Sequence, residues 1–247
     1  MTKTTTDIFD DLAAEQERLE GLLADLSDAD WTRASAAPSW TITDVVLHLA
    51  QTEEAVVASA SGTSLHDLGE GATLDERMDQ LVRAQRSEPL RVLERWRTAR
   101  RAALRTLRDA NPEQPMPWAT SPLKPRTLAT TRLAEHWAHG LDITEPLAIA
   151  FPDTERLQHV AWLGHATLPF AFALAGQQPH DVRCDLIAPD GKTVWGFGPA
   201  DAASRITGSA GAFCRVGAQR LAPSASRLGT SGPHGDAALN VLRNYAT

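Results

Sequence analysis

From residue 7 to 27 the apolar positions Ile8, Leu12, Leu19, Leu22, Leu23 and Leu26 recur among acids at helical spacing, which predicts an amphipathic helix. Asp28-Ala29-Asp30 ends it, and a loop runs through Trp31 to Pro38. Ser39 is placed to cap a second helix with Ile42, Val45, Val46 and Leu49 on its inner side. That helix runs to about residue 59, where the Gly/Ser-containing stretch Ser59 to Gly71 reads as a loop. A third helical region covers 74–109, broken near Ser87-Glu88-Pro89, with Ser87 as cap and Pro89 in the first turn of the second part. The stretch from Asn111 to Pro125 carries Pro112, Pro115, Pro117, Pro122 and Pro125, so it is a crossover loop, with Trp118 inside it. A fourth helix is predicted from Thr127 to Ala150, with a kink at Pro146. Four helices joined with one long crossover make a four-helix bundle.

The pattern changes after Phe151-Pro152-Asp153. A helix over 154–176 leads to the partly alternating run Val182 to Ile187, bounded by Asp190-Gly191, and Thr193 to Phe197 reads as the returning strand of a hairpin. Residues 204–208 add a short strand, and 209–220 and 234–246 read as helices. The expected organisation is therefore a helical bundle over residues 1–152 and a small α+β domain over 153–247.

Composition narrows the class. With 43% hydrophobic and 22% charged residues, disorder and a fibrous fold are poor fits. A formal net charge of -7 provides no general attraction to nucleic acid or an anionic membrane. One stretch runs against that balance: Arg91, Arg95, Arg97, Arg100, Arg101, Arg105 and Arg108 alternate with Val92, Trp96, Ala99, Ala103 and Leu107. This is an amphipathic helix with arginines on its wet side, and a solvated face is a better reading than a polyanion-binding surface. The polar start Met1 to Asp7 lacks the apolar core of a signal peptide, and no run approaches about 18 apolar residues. Cys184 and Cys214 are the only cysteines, which suits reduced thiols in a cytoplasmic protein better than a disulfide framework. Nothing in the pattern specifies an oligomeric state.

The candidate chemistry lies in Leu133-Ala134-Glu135-His136-Trp137-Ala138-His139-Gly140. Residues four apart on a helix point the same way, so Glu135 and His139 present a carboxylate and an imidazole together. A divalent ion then needs a third ligand from a facing helix, and His48 sits in the apolar run Val45 to Ala50, where an imidazole must be paired, neutral or metal-bound. Two histidines and one glutamate form a ligand set typical of catalytic zinc, which keeps a position open for water or substrate. Nickel or iron suits the same nitrogen and oxygen donors. His136 with His139 is a competing pair at a three-residue offset, and the plainer reading of His136 is a packing residue. Glycine-rich phosphate loops, His-Glu-x-x-His and Gly-x-Ser-x-Gly are absent from the sequence.

The segment Trp40-Thr41-Ile42-x-Asp44-x-x-x-His48-Leu49-Ala50, together with Arg132-Leu133-x-Glu135-x-Trp137-x-His139-Gly140-x-Asp142, resembles the mycothiol-dependent maleylpyruvate isomerase family. It is more similar still to an actinobacterial branch of DinB-like metal-binding proteins within it. Leu186-x-Ala188-Pro189-x-Gly191 and the run from Ile206 through Gly208, Ala210 and Phe213 to Arg220 extend the resemblance to the second half. The resemblance implies a zinc centre on His48, Glu135 and His139, mycothiol as a thiol cofactor, and a small-molecule substrate between bundle and α+β domain. It also implies a catalytic arginine from the second domain, best placed at Arg220, with Arg215 as the alternative and a surface role as the competing view. The implied activity is isomerisation or S-transfer on a small electrophilic, carboxylate-bearing metabolite, with Trp40, Trp118 and Trp137 as pocket walls or plain core. Two rivals stay open: a thiol-independent Lewis-acid isomerase, cyclase or hydrolase, and a non-catalytic protein in which zinc ties helices together or serves small-molecule binding.

Overall fold

A computed structural model describes residues 7–63, 73–119 and 121–244. Most of the expected loop from Ser59 to Gly71, and the polar start before Asp7, lie outside the described residues. The described residues divide into two compact units, one ending at Phe151 and one starting at Pro152.

In the first unit α1 (Ile8–Ala24) starts at Asp7, whose carboxylate accepts from the Phe9 amide. The segment read as a loop after residue 28 begins with a one-turn helix, α2 (Asp28–Trp31), because Ser27 and Asp30 form a reciprocal capping box. The next helix, α3 (Ile42–Ser59), is capped by Thr41 and not by Ser39, which sits at φ 66° in the preceding turn. Thr41 accepts from the Asp44 amide while the Asp44 carboxylate accepts from the Thr41 amide. The third region is divided as expected into α4 (Leu74–Ala84) and α5 (Pro89–Asp109), but the cap position of α5 is Glu88, without a side-chain cap, so Ser87 is not the cap.

The last helix of this unit, α6 (Pro125–Thr144), stops six residues short of Ala150. Pro146 has no N–H to give to the Asp142 carbonyl, and that carbonyl accepts the Ala36 amide at 2.9 Å instead. The proline thus ends the helix where the sequence suggested a kink.

Helices α1, α3, α5 and α6 pack on one another as the bundle, with α4 against α3. Helix α3 is buried from Ile42 through Glu53, which explains its apolar run and marks Gln51, Thr52 and Glu53 as enclosed polar residues. On α5, Val92, Trp96, Ala99, Ala103 and Leu107 are buried as the stripe predicted. Several of its arginines are bound across to acids: Arg97 and Arg100 to Glu20 on α1, Arg108 to Asp10, and Arg95 to Glu54 on α3. That pairing leaves the arginine run as part of the bundle surface.

In the second unit the expected helix over 154–176 is two, α7 (Leu157–Ala166) and α8 (Leu168–Leu174), with Pro169 in the first turn of α8. Strands β1 (Val182–Ile187) and β2 (Val194–Phe197) form the predicted hairpin, with Cys184 opposite Phe197. Strand β3 (Ser204–Ser209) lies parallel to β1, and a strand missed in the sequence, β4 (Gly229–Ser231), pairs antiparallel with β3. The sheet order is β2-β1-β3-β4. Val182, Cys184, Leu186 and Ile206 form its buried side. Helix α9 (Ala210–Gly217) ends before residue 220, since Gln219 turns through φ 61°, and α10 spans Gly235–Val241. Among the described residues no helix is long and apolar enough to cross a membrane.

Candidate metal centre

His48 lies on α3 one turn after Asp44, and Glu135 and His139 lie one turn apart on α6. Their donor atoms meet: His48 Nε2 is 3.5 Å and His139 Nε2 3.4 Å from Glu135 Oε2, and all three lie within 4.8 Å of one another. These separations are long for hydrogen bonds. Donors held tetrahedrally at zinc distances stand about 3.3–3.4 Å apart, so the spacing suits one small divalent cation between them. Two imidazoles and a carboxylate also suit zinc chemically, and nickel or iron nearly as well.

The surroundings make the three groups unlike ordinary surface residues. Glu135 keeps 15% of its side chain exposed and the two histidine side chains 10% each. Burial works against the Glu135 carboxylate, yet its contacts with His139 and His48 hold it well below the usual carboxylate range. Burial pushes His48 down, only partly offset by Glu135. Burial also opposes charge on His139, but the carboxylates of Asp142 and Glu135 raise it to about 9. His139 Nδ1 is 2.9 Å from Asp142 Oδ2, and Asp142 is fully buried.

Trp40 closes one side. Its ring lies 5.0 Å from that of His48 and 6.3 Å from that of His139, and its Nε1 donates to Asp79 on α4 at 3.0 Å. Trp137 is buried in the bundle, and Trp118 lies 5.9 Å from the Arg132 guanidinium.

His136 is turned elsewhere and both its ring nitrogens are engaged. Trp96 Nε1 donates to its Nε2 at 3.2 Å, so Nδ1 carries the hydrogen and donates to the Arg132 carbonyl at 2.8 Å. Burial, and next the Arg132 charge, lower its pKa to about 3. A neutral imidazole with no lone pair to spare is a packing residue, and the His136–His139 pairing is set aside. Beside it runs a buried ion pair that the sequence reading missed: Arg132 Nε donates to Glu53 Oε1 at 2.9 Å and Nη2 to Thr52 Oγ1 at 2.6 Å. A glutamate inside the apolar stripe of α3 was the available signal.

The two arginine candidates lie in the second unit. Arg215 is held by both oxygens of Asp153, at 2.8 and 2.9 Å. Arg220 follows α9 instead of ending it, and its Nη1 donates to the Ala218 carbonyl at 2.8 Å. Cys184 and Cys214 are both buried and free.

Residues 12–144 match the family described as the mycothiol maleylpyruvate isomerase N-terminal domain, a span of more than half the chain that contains all three donors. The chain belongs to this family. Relatives at 32% identity include an uncharacterised protein of Mycobacterium tuberculosis, found in strains CDC 1551 / Oshkosh and ATCC 25618 / H37Rv, with 96% of this chain and 94% of the relative aligned. Among solved structures, the crystal structure of the mycothiol-dependent maleylpyruvate isomerase superposes with a TM-score of 0.59 at 14% identity, covering 92% of each chain. A histidine-to-alanine mutant of that enzyme gives 0.58 at 13% identity, over 86% of this chain and 89% of the other. At such identities the likeness establishes the fold: a helical N-terminal part followed by a small sheet with helices.

Proposed function

We propose that this protein is a metal-dependent enzyme of the mycothiol-using isomerase or S-transferase type, acting on a small electrophilic metabolite that carries a carboxylate. The observation that carries the reading is the meeting of His48 Nε2, His139 Nε2 and Glu135 Oε2 within 4.8 Å in a largely enclosed part of the bundle. A bound zinc would supply Lewis acidity and hold a thiol as thiolate at neutral pH. The metal centre is assigned to the bundle, residues 1–152, and a catalytic arginine to the domain over 153–247.

The chain's own groups have separable tasks in this reading. His48, Glu135 and His139 bind the cation and leave further coordination positions to small molecules, as three-ligand sites do. Trp40, fixed by its bond to Asp79, keeps water from one side of the two imidazoles. Arg220 contributes a permanent charge with several donors, suited to a substrate carboxylate or a developing enolate. Small molecules, including a low-molecular-weight thiol, are the expected partners, with neither nucleic acid nor membrane among them.

The test is a zinc titration of purified protein together with turnover of maleylpyruvate, with and without mycothiol. The reading expects one zinc per chain, turnover that needs the thiol, loss on chelation and recovery on adding zinc back. Equal turnover without thiol would favour the thiol-independent Lewis-acid reading. Zinc binding with no turnover of any thiol acceptor tried would favour the non-catalytic binding protein.

A further inference from the structure

Although His48 and His139 look equivalent as donors, their far sides differ. The far nitrogen of His139, Nδ1, meets Asp142 Oδ2 at 2.9 Å, between two buried residues. The far nitrogen of His48, Nδ1, is also buried and has no hydrogen-bond partner among the described residues. That ring is oriented by packing against the rings of Trp40 and His139, each 5.0 Å away, and by the contact with Glu135.

Asp142 is itself held in place. It lies one turn beyond His139 on α6, and its carbonyl, left free by Pro146, binds the Ala36 amide at 2.9 Å. Its backbone is therefore anchored by a loop distant in sequence, and its side chain is enclosed. An ionised carboxylate only accepts hydrogen bonds, so the 2.9 Å contact requires a hydrogen on His139 Nδ1 and makes Nε2, which faces Glu135 and His48, the nitrogen that a cation would take.

We propose that Asp142 is the positioning residue of this centre, fixing the ring and the tautomer of His139 so that Nε2 binds the cation, with no counterpart acting on His48. This rests on the metal-centre reading above. Outer carboxylates of this kind raise the basicity of the ligand they hold, and their loss weakens metal binding by about 10–100-fold.

The experiment measures zinc affinity by chelator competition for wild type, Asp142→Asn and Asp142→Ala. It adds nitrogen-15 NMR of the histidine rings in zinc-loaded wild-type protein. The expected results are one zinc per chain in every variant, affinity about 10–100-fold weaker in both mutants, and a hydrogen on His139 Nδ1 protected from solvent exchange. The Nδ1 hydrogen of His48 is expected to lack the downfield shift of a carboxylate-bound hydrogen. Unchanged affinity in the mutants would overturn the proposal while leaving the metal centre standing. A wild-type spectrum with the hydrogen on His139 Nε2 would overturn it even if neither mutant folds. Absence of zinc binding by wild-type protein would overturn the metal-centre reading and this proposal with it.

Discussion

The buried pair Arg132–Glu53 supports a sharp prediction about the bundle that holds the site. Glu53 is fully enclosed, with Arg132 Nε at 2.9 Å from one oxygen and no hydrogen-bond partner for the other among the described residues. Burial already pushes its pKa up, and Arg132 is the main force holding it down. Replacing Arg132→Met removes that force and leaves a carboxylate buried without compensation, which costs about 3–5 kcal/mol when it must be charged. The cost depends on pH. In the unfolded chain Glu53 ionises near the ordinary 4.5, whereas in the folded mutant it stays protonated to higher pH. Across that interval the folded state holds one proton more than the unfolded state, and stability falls as pH rises, by about 1.4 kcal/mol per unit. A penalty of about 3–5 kcal/mol is then fully expressed roughly 2–4 units above 4.5. Guanidinium unfolding followed by near-ultraviolet circular dichroism, which reports the buried Trp31, Trp96 and Trp137, measures this directly. The mutant is expected to approach wild type near pH 5 and to fall furthest behind near pH 8. Adding Glu53→Gln to it abolishes the pH dependence. A deficit equal at both pH values in the single mutant would refute the assignment of the cost to Glu53.

Other outcomes follow from the same geometry. His48→Ala, Glu135→Ala and His139→Ala are each expected to lose bound zinc by elemental analysis. His136→Gln is expected to keep it and to lose about 1–3 kcal/mol of stability in denaturant titration, through the broken contacts with Trp96 and the Arg132 carbonyl. Arg220→Ala is expected to retain zinc and its circular dichroism spectrum while kcat/KM falls about 10²–10³-fold in the thiol-dependent assay. Near-normal turnover would assign Arg220 to a structural role. Burial raises the Cys184 thiol to about 12 and the Cys214 thiol well above its ordinary value, so both are protonated at pH 8. Native protein is therefore expected to resist iodoacetamide at that pH by mass spectrometry, and unfolded protein to take up two labels.

Much of the candidate centre is legible in the sequence. Helical periodicity alone put Glu135 and His139 on one side of α6, and the apolar run around His48 marked an enclosed imidazole, because both signals depend only on residues within a turn or two. The β1–β2 hairpin was legible for the same reason, from strand alternation and the turn at Asp190-Gly191. Element ends were less so. Ser39 and Thr41 both have capping side chains, and only the partner Asp44 and the backbone turn at Ser39 separate them. Strand β4, three residues long, exists because β3 offers it an edge.

What the tertiary structure decided is which groups are left available for chemistry. His136 and His139 are equally histidine in the sequence, three residues apart on one helix. Trp96, forty positions away, occupies one nitrogen of His136, and Asp142 occupies the far nitrogen of His139, leaving its Nε2 facing Glu135 and His48. Asp142 was visible as a letter in the motif, but only the folded chain shows its carboxylate 2.9 Å from His139 Nδ1 and its carbonyl taken by the Ala36 amide of a distant loop. Local spacing sets the direction in which a side chain leaves its helix. Whether its polar atoms are already satisfied depends on neighbours that folding brings from elsewhere in the chain.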